Sequence, residues 1–496
     1  MNAKLDEFRG SFGRKLLPAL GLFLTGAVTV VFGIGLARLI VTPDYGWAMT
    51  ITGVSFYLLA IAANPLLGFL IWIVTTPFSR FYFLDILMGR GIPDLTLTRV
   101  CAAFITMFLA AQVATRSRRI PRINKVDVVM VFFCLGLLVS APMAVNGPRN
   151  AIVHFTDGYV IPFLIYLFAR MLVPDRKGLR SVLVALFVVG GYLSVIAVRE
   201  QLTGEILFWF RDSSWYYQGG VRKLSGLLGN PAHFGSVLGM IVPFTIRSVL
   251  NSENPSKRVF GAMLAALEIW AIYLTYNRGS WLGFVLSMLF MFAFYPRFRR
   301  LALPLFLIAL VVAALSWSAI SSSPVFQERL GAKVQVTYRL EVYQIIGKLI
   351  QGNYLFGVGL GGFDVVYLRV VRGIYGDSPW PARMMPHNAF LYILFVAGVI
   401  ALLPFTLIFL FMIWDGYVLW RRAQKGIIWI DPELIVCFGA ALIVYLTQSM
   451  VIDMMASFYP NMIFFVIMGV MYGIRDALPA ERKTEESGEL VEVHSP

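Results

Sequence analysis

The sequence predicts an all-α, polytopic integral membrane helix bundle with about 12–14 transmembrane helices. Hydrophobic residues make up 58% of the 496 residues and charged residues only 14%, whereas soluble domains average about 45–50% apolar and about 25% charged residues. The apolar residues come in blocks of about 20, the length of helix that crosses a hydrocarbon core of roughly 30 Å. Because backbone polar groups in lipid must bond to one another, these blocks are expected to be helices.

The blocks give a set of candidate spans in chain order. The first follows a basic segment and lacks the small-residue cleavage site of a signal peptide, so we expect it to be retained as a membrane helix. Residues 388–398 are also apolar, but a separate crossing there would invert every later span. The predicted spans are 16–40, 47–63, 66–78, 95–113, 127–145, 153–172, 181–200, 230–250, 259–276, 281–295, 301–320, 399–420, 432–452 and 458–475.

The distribution of Lys and Arg predicts that both termini are cytoplasmic. With the N-terminus inside, 25 of the 42 Lys and Arg residues fall on cytoplasmic segments and 17 on outer segments, 7 of these in one long loop. Short loops determine orientation more strongly than long ones. The formal net charge of +15 then reflects this bias and attraction to anionic lipids, and a nucleic-acid partner is not needed to explain it.

The outer face carries the segments where chemistry is expected. Three outer loops cover residues 76–99, 199–226 and 321–386. The last is predicted to be partly helical over residues 338–350, because its apolar positions Leu340, Tyr343, Ile346 and Ile350 follow helical spacing. His154, His233 and His387 map to this face, whereas His494 lies in a polar C-terminal tail that is expected to be disordered.

No metal or cofactor is suggested by the cysteines. Cys101, Cys134 and Cys437 fall inside apolar blocks, where cysteine behaves as a small hydrophobic residue. The chain has no CxxC pair and no cluster of His and Cys, so neither a disulfide framework nor a zinc site is predicted.

Two arginines stand out. Arg278, in "YLTYNRGSWLGFVL", lies between two apolar blocks at the outer membrane edge, where an ionisable residue is a functional-site hypothesis. The alternative is a side chain that reaches the lipid headgroups. Arg339 is predicted to open the helix of the long loop, where a helix N-terminus favours anions. Its alternative is an exposed surface arginine.

The motif "GVGLGGF" at 357–363 is similar in composition to a phosphate-binding loop. It lacks the surrounding βαβ unit and the Lys-Ser/Thr pair of a P-loop. We therefore expect only a flexible turn that lets the backbone come close to the site.

The order of five motifs resembles the O-antigen ligase and polysaccharide polymerase superfamily. They are "LLGNPAHFGSVLGMIVPF", "LTYNRGSWLGF", "TYRLEVYQ", "GNYLFGVGLGGF" and "PHNAFLYILFVAGVIALLPF", between about residues 225 and 405. One departure is that Ala232 and His233 follow Pro231, where members often have asparagine. That departure leaves the role of His233 open. The role of His154 is open as well.

The resemblance implies an inverting glycosyltransferase that needs neither metal nor nucleotide. Such an enzyme moves a glycan from undecaprenyl pyrophosphate to an acceptor hydroxyl on the outer side of the bacterial inner membrane. Carried over to this chain, the catalytic histidine is His387 and the substrate-binding arginines are Arg278 and Arg339. Asn388 and Asn230 are further candidates for the substrate site, although helix capping explains each of them as well.

These residue types suit the implied reaction. Histidine has an unperturbed pKa of about 6.5 and can accept the proton of the attacking hydroxyl near neutral pH. Arginine stays charged and its planar group matches phosphate oxygens. The outer loops contain no DxD-type acidic pair for magnesium, so two arginines would have to stabilise the leaving pyrophosphate.

The sequence thus suggests N-terminal membrane helices over 1–224, a ligase-like catalytic region over 225–420, C-terminal membrane helices over 421–475 and a cytoplasmic tail over 476–496. The expected partners are the lipid-linked donor, membrane lipids and an acceptor, which is a glycan, a lipid core or a protein. Two alternatives stay open. A transporter would need membrane-embedded carboxylates and internal repeats, and a non-catalytic assembly subunit would not need His387.

Overall fold

The computed structural model describes residues 45–81, 96–143, 148–205, 217–218, 221–322, 334–360, 386–427, 429–452 and 457–477, with isolated positions 26, 33, 366, 369, 373 and 454. Helices account for most of these residues. Their bounds are α1 Tyr45–Ala63, α2 Pro65–Thr75, α3 Leu97–Ala114, α4 Lys125–Ser140, α5 Pro148–Phe155, α6 Ile161–Leu172, α7 Arg176–Thr203, α8 Pro231–Leu250, α9 Pro255–Leu274, α10 Arg278–Phe294, α11 Pro296–Leu315, α12 Trp317–Ser322, α13 Val334–Ile350, α14 Ala389–Gln424, α15 Pro432–Ser449 and α16 Phe458–Asp476.

Shorter elements complete the described chain. Short 3₁₀ turns cover Thr76–Phe81, Ala141–Met143 and Gly226–Leu228, and a π-helical turn over Thr156–Val160 joins α5 to α6. Strands β1 (Tyr217–Gln218) and β2 (Val221–Arg222) pair antiparallel.

The all-α, polytopic membrane class is confirmed. Every predicted span from 47–63 onward coincides with a helix, while the span 16–40 and the tail after residue 477 lie outside the described residues. Within the described part, seven helices are long and apolar enough to cross a membrane, and three more apolar helices are shorter. The domain boundaries and the cytoplasmic side stay predictions.

Helix starts follow a common local rule. Asn64, Asn230, Asn254 and Asp431 each precede a proline, and each side chain accepts a hydrogen bond from a backbone N–H of the first turn. An Asn or Asp cap satisfies a donor that the helix cannot satisfy itself, and proline at the first helical position has no donor to lose. Each Asn-Pro or Asp-Pro pair therefore determines the residue at which its helix begins.

Helix α16 lies inside the bundle. Gly469 and Gly473 let it approach α6 so closely that a Cβ at either position would fall within 3 Å of a backbone oxygen, at Tyr166 or Arg170. Small residues at such crossings allow the dispersion contacts on which helix association in membranes depends. On its other side Phe464 stacks on Tyr445 of α15, with 3.7 Å between ring centroids.

One end of the bundle, which we call the opposite end, holds three groups of ion pairs among the described residues. Arg170 is 3% exposed and bonds to Asp127, to Asp476 and to the carbonyl of Arg122. In the same region, Arg247 pairs with Asp431 and Arg475 pairs with Asp415. All of these residues come from segments predicted to share the cytoplasmic side, so the alternation of the predicted spans agrees with their position in the fold.

Candidate active site

The candidate site is at the other end of the bundle, which we call the site end. It is built by the starts of α8, α10, α14 and α16, by the end of α15, and by α13 of the long loop. The sequence predicted that Arg278, Arg339 and His387 would belong to one site. Arg278 and Arg339 lie on two of these elements, and His387 comes two residues before the start of α14.

Helix α14 is broken at Gly398, and the break determines where His387 lies. Gly398 has φ 68° and ψ −168°, a backbone conformation that is essentially restricted to glycine. It divides α14 into a short arm, residues 389–397, and a long arm, residues 399–424. The predicted span 399–420 therefore begins one residue after the break.

The backbone groups freed by the break bond to the segment 354–359, here called the bridging segment. The N–H groups of Val358 and Gly359 donate to the carbonyls of Phe395 and Val396, at 2.9 and 3.0 Å. In return, the N–H groups of Val399 and Ile400 donate to carbonyls of the bridging segment. The glycine-rich motif thus completes a broken membrane helix, a role that its composition did not predict.

The short arm folds back along the long arm. The ring of Phe390 lies 5.1 Å from that of Phe405 and 6.1 Å from that of Phe409. Phe405 follows fifteen positions later, which in a continuous helix would separate the two residues by about 22 Å. The start of the short arm, and His387 with it, is therefore carried back into the bundle.

His387 lies in the turn before the short arm. It has a left-handed backbone conformation, with φ 47°, and Asn388 caps the short arm by accepting a hydrogen bond from the N–H of Leu391 at 3.0 Å. The imidazole is half-buried, and burial together with the nearby positive charge of Arg339 lowers the pKa of His387 to about 4. The ring is therefore neutral at physiological pH.

Arg339 reaches the site from α13. This helix begins at Val334, so Arg339 lies in its second turn and does not open it as predicted. The anion preference of a helix N-terminus therefore does not apply to Arg339. Its guanidinium donates to the carbonyl of Val451 at 3.4 Å, and the buried face of α13 includes Ile346 and Ile350, whereas Leu340 is exposed.

Arg278 is the first residue of α10. Asn277 caps this helix by accepting a hydrogen bond from the N–H of Ser280 at 2.9 Å. The neighbouring Gly279 lies so close to the side chain of Val451 that a Cβ there would overlap it. Val451 therefore contacts both the start of the helix that carries Arg278 and the guanidinium of Arg339.

The start of α8 adds two residues to the site end. The side chain of Asn230 accepts a hydrogen bond from the N–H of Ala232 at 2.9 Å, so Asn230 acts as a helix cap. The Nε2 atom of His233 bonds to the hydroxyl of Ser457, just before α16. Gly235 packs against Ser280, which joins α8 to the start of α10.

Several predicted features of the site lie outside the described residues. These include residues 206–216 of the second outer loop and most of the segment 361–385 of the third. Among the residues that the structure describes, no group of three or more His, Cys, Asp or Glu side chains could hold a metal ion. The expectation of metal-independent chemistry stays a prediction.

Residues 261–406 match the family described as O-antigen ligase. This part of the chain is similar to O-antigen ligases. The match includes Arg278, Arg339 and His387 and extends from α9 into the long arm of α14, so it confirms the resemblance to the O-antigen ligase and polymerase superfamily. None of the curated proteins matches the chain.

Replacement of Gly398 by alanine should destabilise the broken helix α14. The new Cβ would overlap the carbonyl of Leu355, and the backbone strain alone costs about 1–3 kcal/mol. We expect a marked fall in the thermal unfolding temperature of the purified protein. Gly426→Ala is the matched control, because Gly426 also has positive φ (69°) but no heavy atom within 4 Å of the new Cβ. Equal losses in both variants would show that the bridging segment does not constrain α14.

Proposed function

We propose that the protein is an inverting membrane glycosyltransferase of surface polysaccharide assembly. It would move a glycan from undecaprenyl pyrophosphate to an acceptor hydroxyl on the outer face of the inner membrane. The similarity to O-antigen ligases supports the general class. Both donor and acceptor belong to the proposal, and the acceptor would be a growing glycan, a lipid core or a protein.

The proximity of His387 to Arg339 is the observation that carries the proposal. A general base must be unprotonated before the reaction, and burial beside a cation keeps this imidazole neutral. A low pKa also weakens a base. An anionic pyrophosphate bound near Arg339 would oppose the effect of the guanidinium and raise the pKa of His387. Donor binding would thus increase the basicity of His387 at the moment when it is needed.

The proposed reaction is a single displacement. The acceptor oxygen attacks the anomeric carbon and loses its proton to the imidazole of His387, while the bond from that carbon to the pyrophosphate oxygen breaks. The bonding electron pair leaves with undecaprenyl pyrophosphate. Arg278 and Arg339 would bind the pyrophosphate and stabilise the charge that develops on it.

The two asparagines would act indirectly. The side-chain oxygens of Asn388 and Asn230 accept hydrogen bonds from the first turns of α14 and α8. We propose that these caps hold the elements that carry His387 and His233, and that neither asparagine needs to contact the substrate.

His387→Ala should abolish transfer, because loss of a general base typically costs about 10²–10⁴-fold in rate. The test is to produce the variant in the native host and to size the undecaprenyl-linked glycans that accumulate. Single repeats would indicate a polymerase, and long chains beside an unmodified acceptor would indicate a ligase. His154→Ala is the matched control, since His154 is exposed in α5. A normal glycan profile with normal amounts of His387→Ala in the membrane would reject the general-base role.

Arg339→Met should shift the pH profile of the transfer rate. The rate falls as pH drops through the pKa of the base, which is about 4 for His387. Without the guanidinium one cause of the low pKa disappears, whereas burial, the larger cause, remains. The acidic limb should therefore move to higher pH without reaching the ordinary value of about 6.5. The measurement is kcat/KM of the purified protein against pH, which reports the pKa of His387 before the donor binds, and an unmoved limb would contradict the His387–Arg339 coupling.

A transporter is the second candidate, and one buried residue favours it. Glu268 of α9 is fully buried among α7, α8 and α9, where one carboxyl oxygen accepts a hydrogen bond from Thr245 at 3.2 Å. The other oxygen, Oε2, has no hydrogen-bond partner among the described residues. A carboxyl group inside a membrane bundle is a functional-site hypothesis by default, and the sequence analysis had not singled it out.

Glu268→Gln separates the two candidates. Glutamine keeps the shape and the acceptor for Thr245 but cannot carry an ionisable proton or a negative charge. If the protein is a glycosyltransferase, the host should make glycans of normal length and amount with this variant. A loss of export by the variant, together with no transfer by the purified wild-type protein, would favour the transporter.

A further inference from the structure

Gln448 is a fully buried amide near the end of α15, and neither the sequence motifs nor the proposed mechanism assigns it a role. Its Nε2 atom donates to the hydroxyl of Ser280 at 2.9 Å. Its Oε1 atom is buried without a hydrogen-bond partner among the described residues. A buried polar side chain that is only partly satisfied calls for a functional or structural reason.

The contacts of Gln448 lead to Arg278. Ser280 donates its N–H and its hydroxyl to the side-chain oxygen of Asn277, at 2.9 and 3.2 Å. Asn277 is the N-cap of α10, and Arg278 is the first residue of that helix. The chain of bonds from Gln448 through Ser280 to Asn277 thus holds the helix start from which the Arg278 side chain extends.

The backbone of Gln448 leads to Arg339. Its carbonyl accepts hydrogen bonds from the N–H groups of Val451 and Ile452, at 2.9 and 2.8 Å. The carbonyl of Val451 in turn accepts the hydrogen bond from Arg339. One residue therefore supports the attachment points of both arginines, through its side chain for Arg278 and through its backbone for Arg339.

Gly279 makes this arrangement possible. A Cβ at Gly279 would overlap the side chain of Val451 and would lie 3.2 Å from the Oε1 atom of Gln448. The end of α15 therefore packs directly against the first turn of α10. This packing fixes the first turn of α10, which carries Arg278, relative to Val451, whose carbonyl accepts the hydrogen bond from Arg339.

We propose that Gln448 is a positioning residue for pyrophosphate recognition. It sets the spacing between Arg278 and Arg339, so that the pair fits two linked phosphates better than one. This inference rests on the proposed function. The side chain is a neutral amide because a carboxylate at this position would attract the guanidinium groups and compete with the phosphates.

The test measures binding of two probes to the purified full-length protein in detergent, undecaprenyl pyrophosphate and undecaprenyl monophosphate. Gln448→Met keeps the length of the side chain and removes the bond to Ser280. We expect it to weaken pyrophosphate binding by about 10- to 100-fold, since a small displacement of a positioning group can cost about 100-fold. Monophosphate binding should change little. A general loss of structure would weaken both probes alike.

Three further variants make the test specific. Ser280→Ala removes the hydrogen-bond partner of the Gln448 amide and should likewise weaken pyrophosphate binding more than monophosphate binding. If Gln448→Met does not accumulate in the cell, Ser280→Ala alone provides the test. Ser449→Ala and Ser287→Ala are the controls, because these buried hydroxyls donate only to carbonyls of their own helices, at Tyr445 and Phe284. Both controls should bind like the wild type.

The outcomes separate this inference from the proposed function. Wild-type affinity of both Gln448→Met and Ser280→Ala for undecaprenyl pyrophosphate, or an equal loss for both probes, would overturn the positioning role alone. A wild-type protein that does not bind undecaprenyl pyrophosphate would overturn the proposed function itself. Selective loss of pyrophosphate binding, with normal control variants, is the expected result.

Discussion

The arrangement of the site end depends on one constraint, the need to satisfy backbone hydrogen bonds where a helix breaks inside an apolar bundle. At Gly398 the helical ladder of α14 stops, and the bridging segment supplies the missing partners through four backbone hydrogen bonds. Irregular backbone at membrane depth persists only where protein groups replace the lost bonds. The fold-back of the short arm and the half-buried position of His387 follow from this exchange.

Arg170 and Arg339 lie at opposite ends of the bundle and make different contacts. At the opposite end Arg170 is buried and bonds to Asp127 and Asp476, and breaking a buried pair of this kind typically costs about 3–5 kcal/mol. At the site end Arg339 donates to a main-chain carbonyl, a contact that does not cancel its charge. Its field reaches His387 and lowers the pKa of the imidazole. The first arrangement is suited to stability and the second to an anionic ligand.

Glycine and short polar residues make the close contacts of the site end possible. The missing Cβ of three glycines leaves room for a close neighbour: Val451 at Gly279, Ser280 at Gly235 and the backbone of Ala397 at Gly357. Two further polar bonds, from Gln448 to Ser280 and from His233 to Ser457, join the ends of four helices at the site end. Such packing fixes the backbone positions from which the long arginine side chains extend, and this reduces the conformational entropy lost when a ligand binds.

The sequence by itself determined the class of the protein. Its apolar blocks are long enough to cross a membrane, and the lipid interior offers the backbone no hydrogen-bond partners, so these blocks must be helices. It also identified the helix caps at Asn230 and Asn388, since capping depends on a few neighbouring residues. Ordered motifs pointed to the O-antigen ligase superfamily and to His387, Arg278 and Arg339. The roles of these three residues stay predictions, whereas their placement at one end of the bundle is an observation.

Only the tertiary structure decided which residues meet. Glycine at 398 was visible in the sequence, but its left-handed backbone depends on hydrogen bonds to a segment some forty residues earlier. The same holds for the contact between Val451 and Arg339, for the support that Gln448 gives to α10 and for the burial of Glu268. Local patterns report the preferences of a chain over a few turns. The depth of a titratable group and the spacing of two charges depend on packing between distant segments, which short-range periodicity does not record.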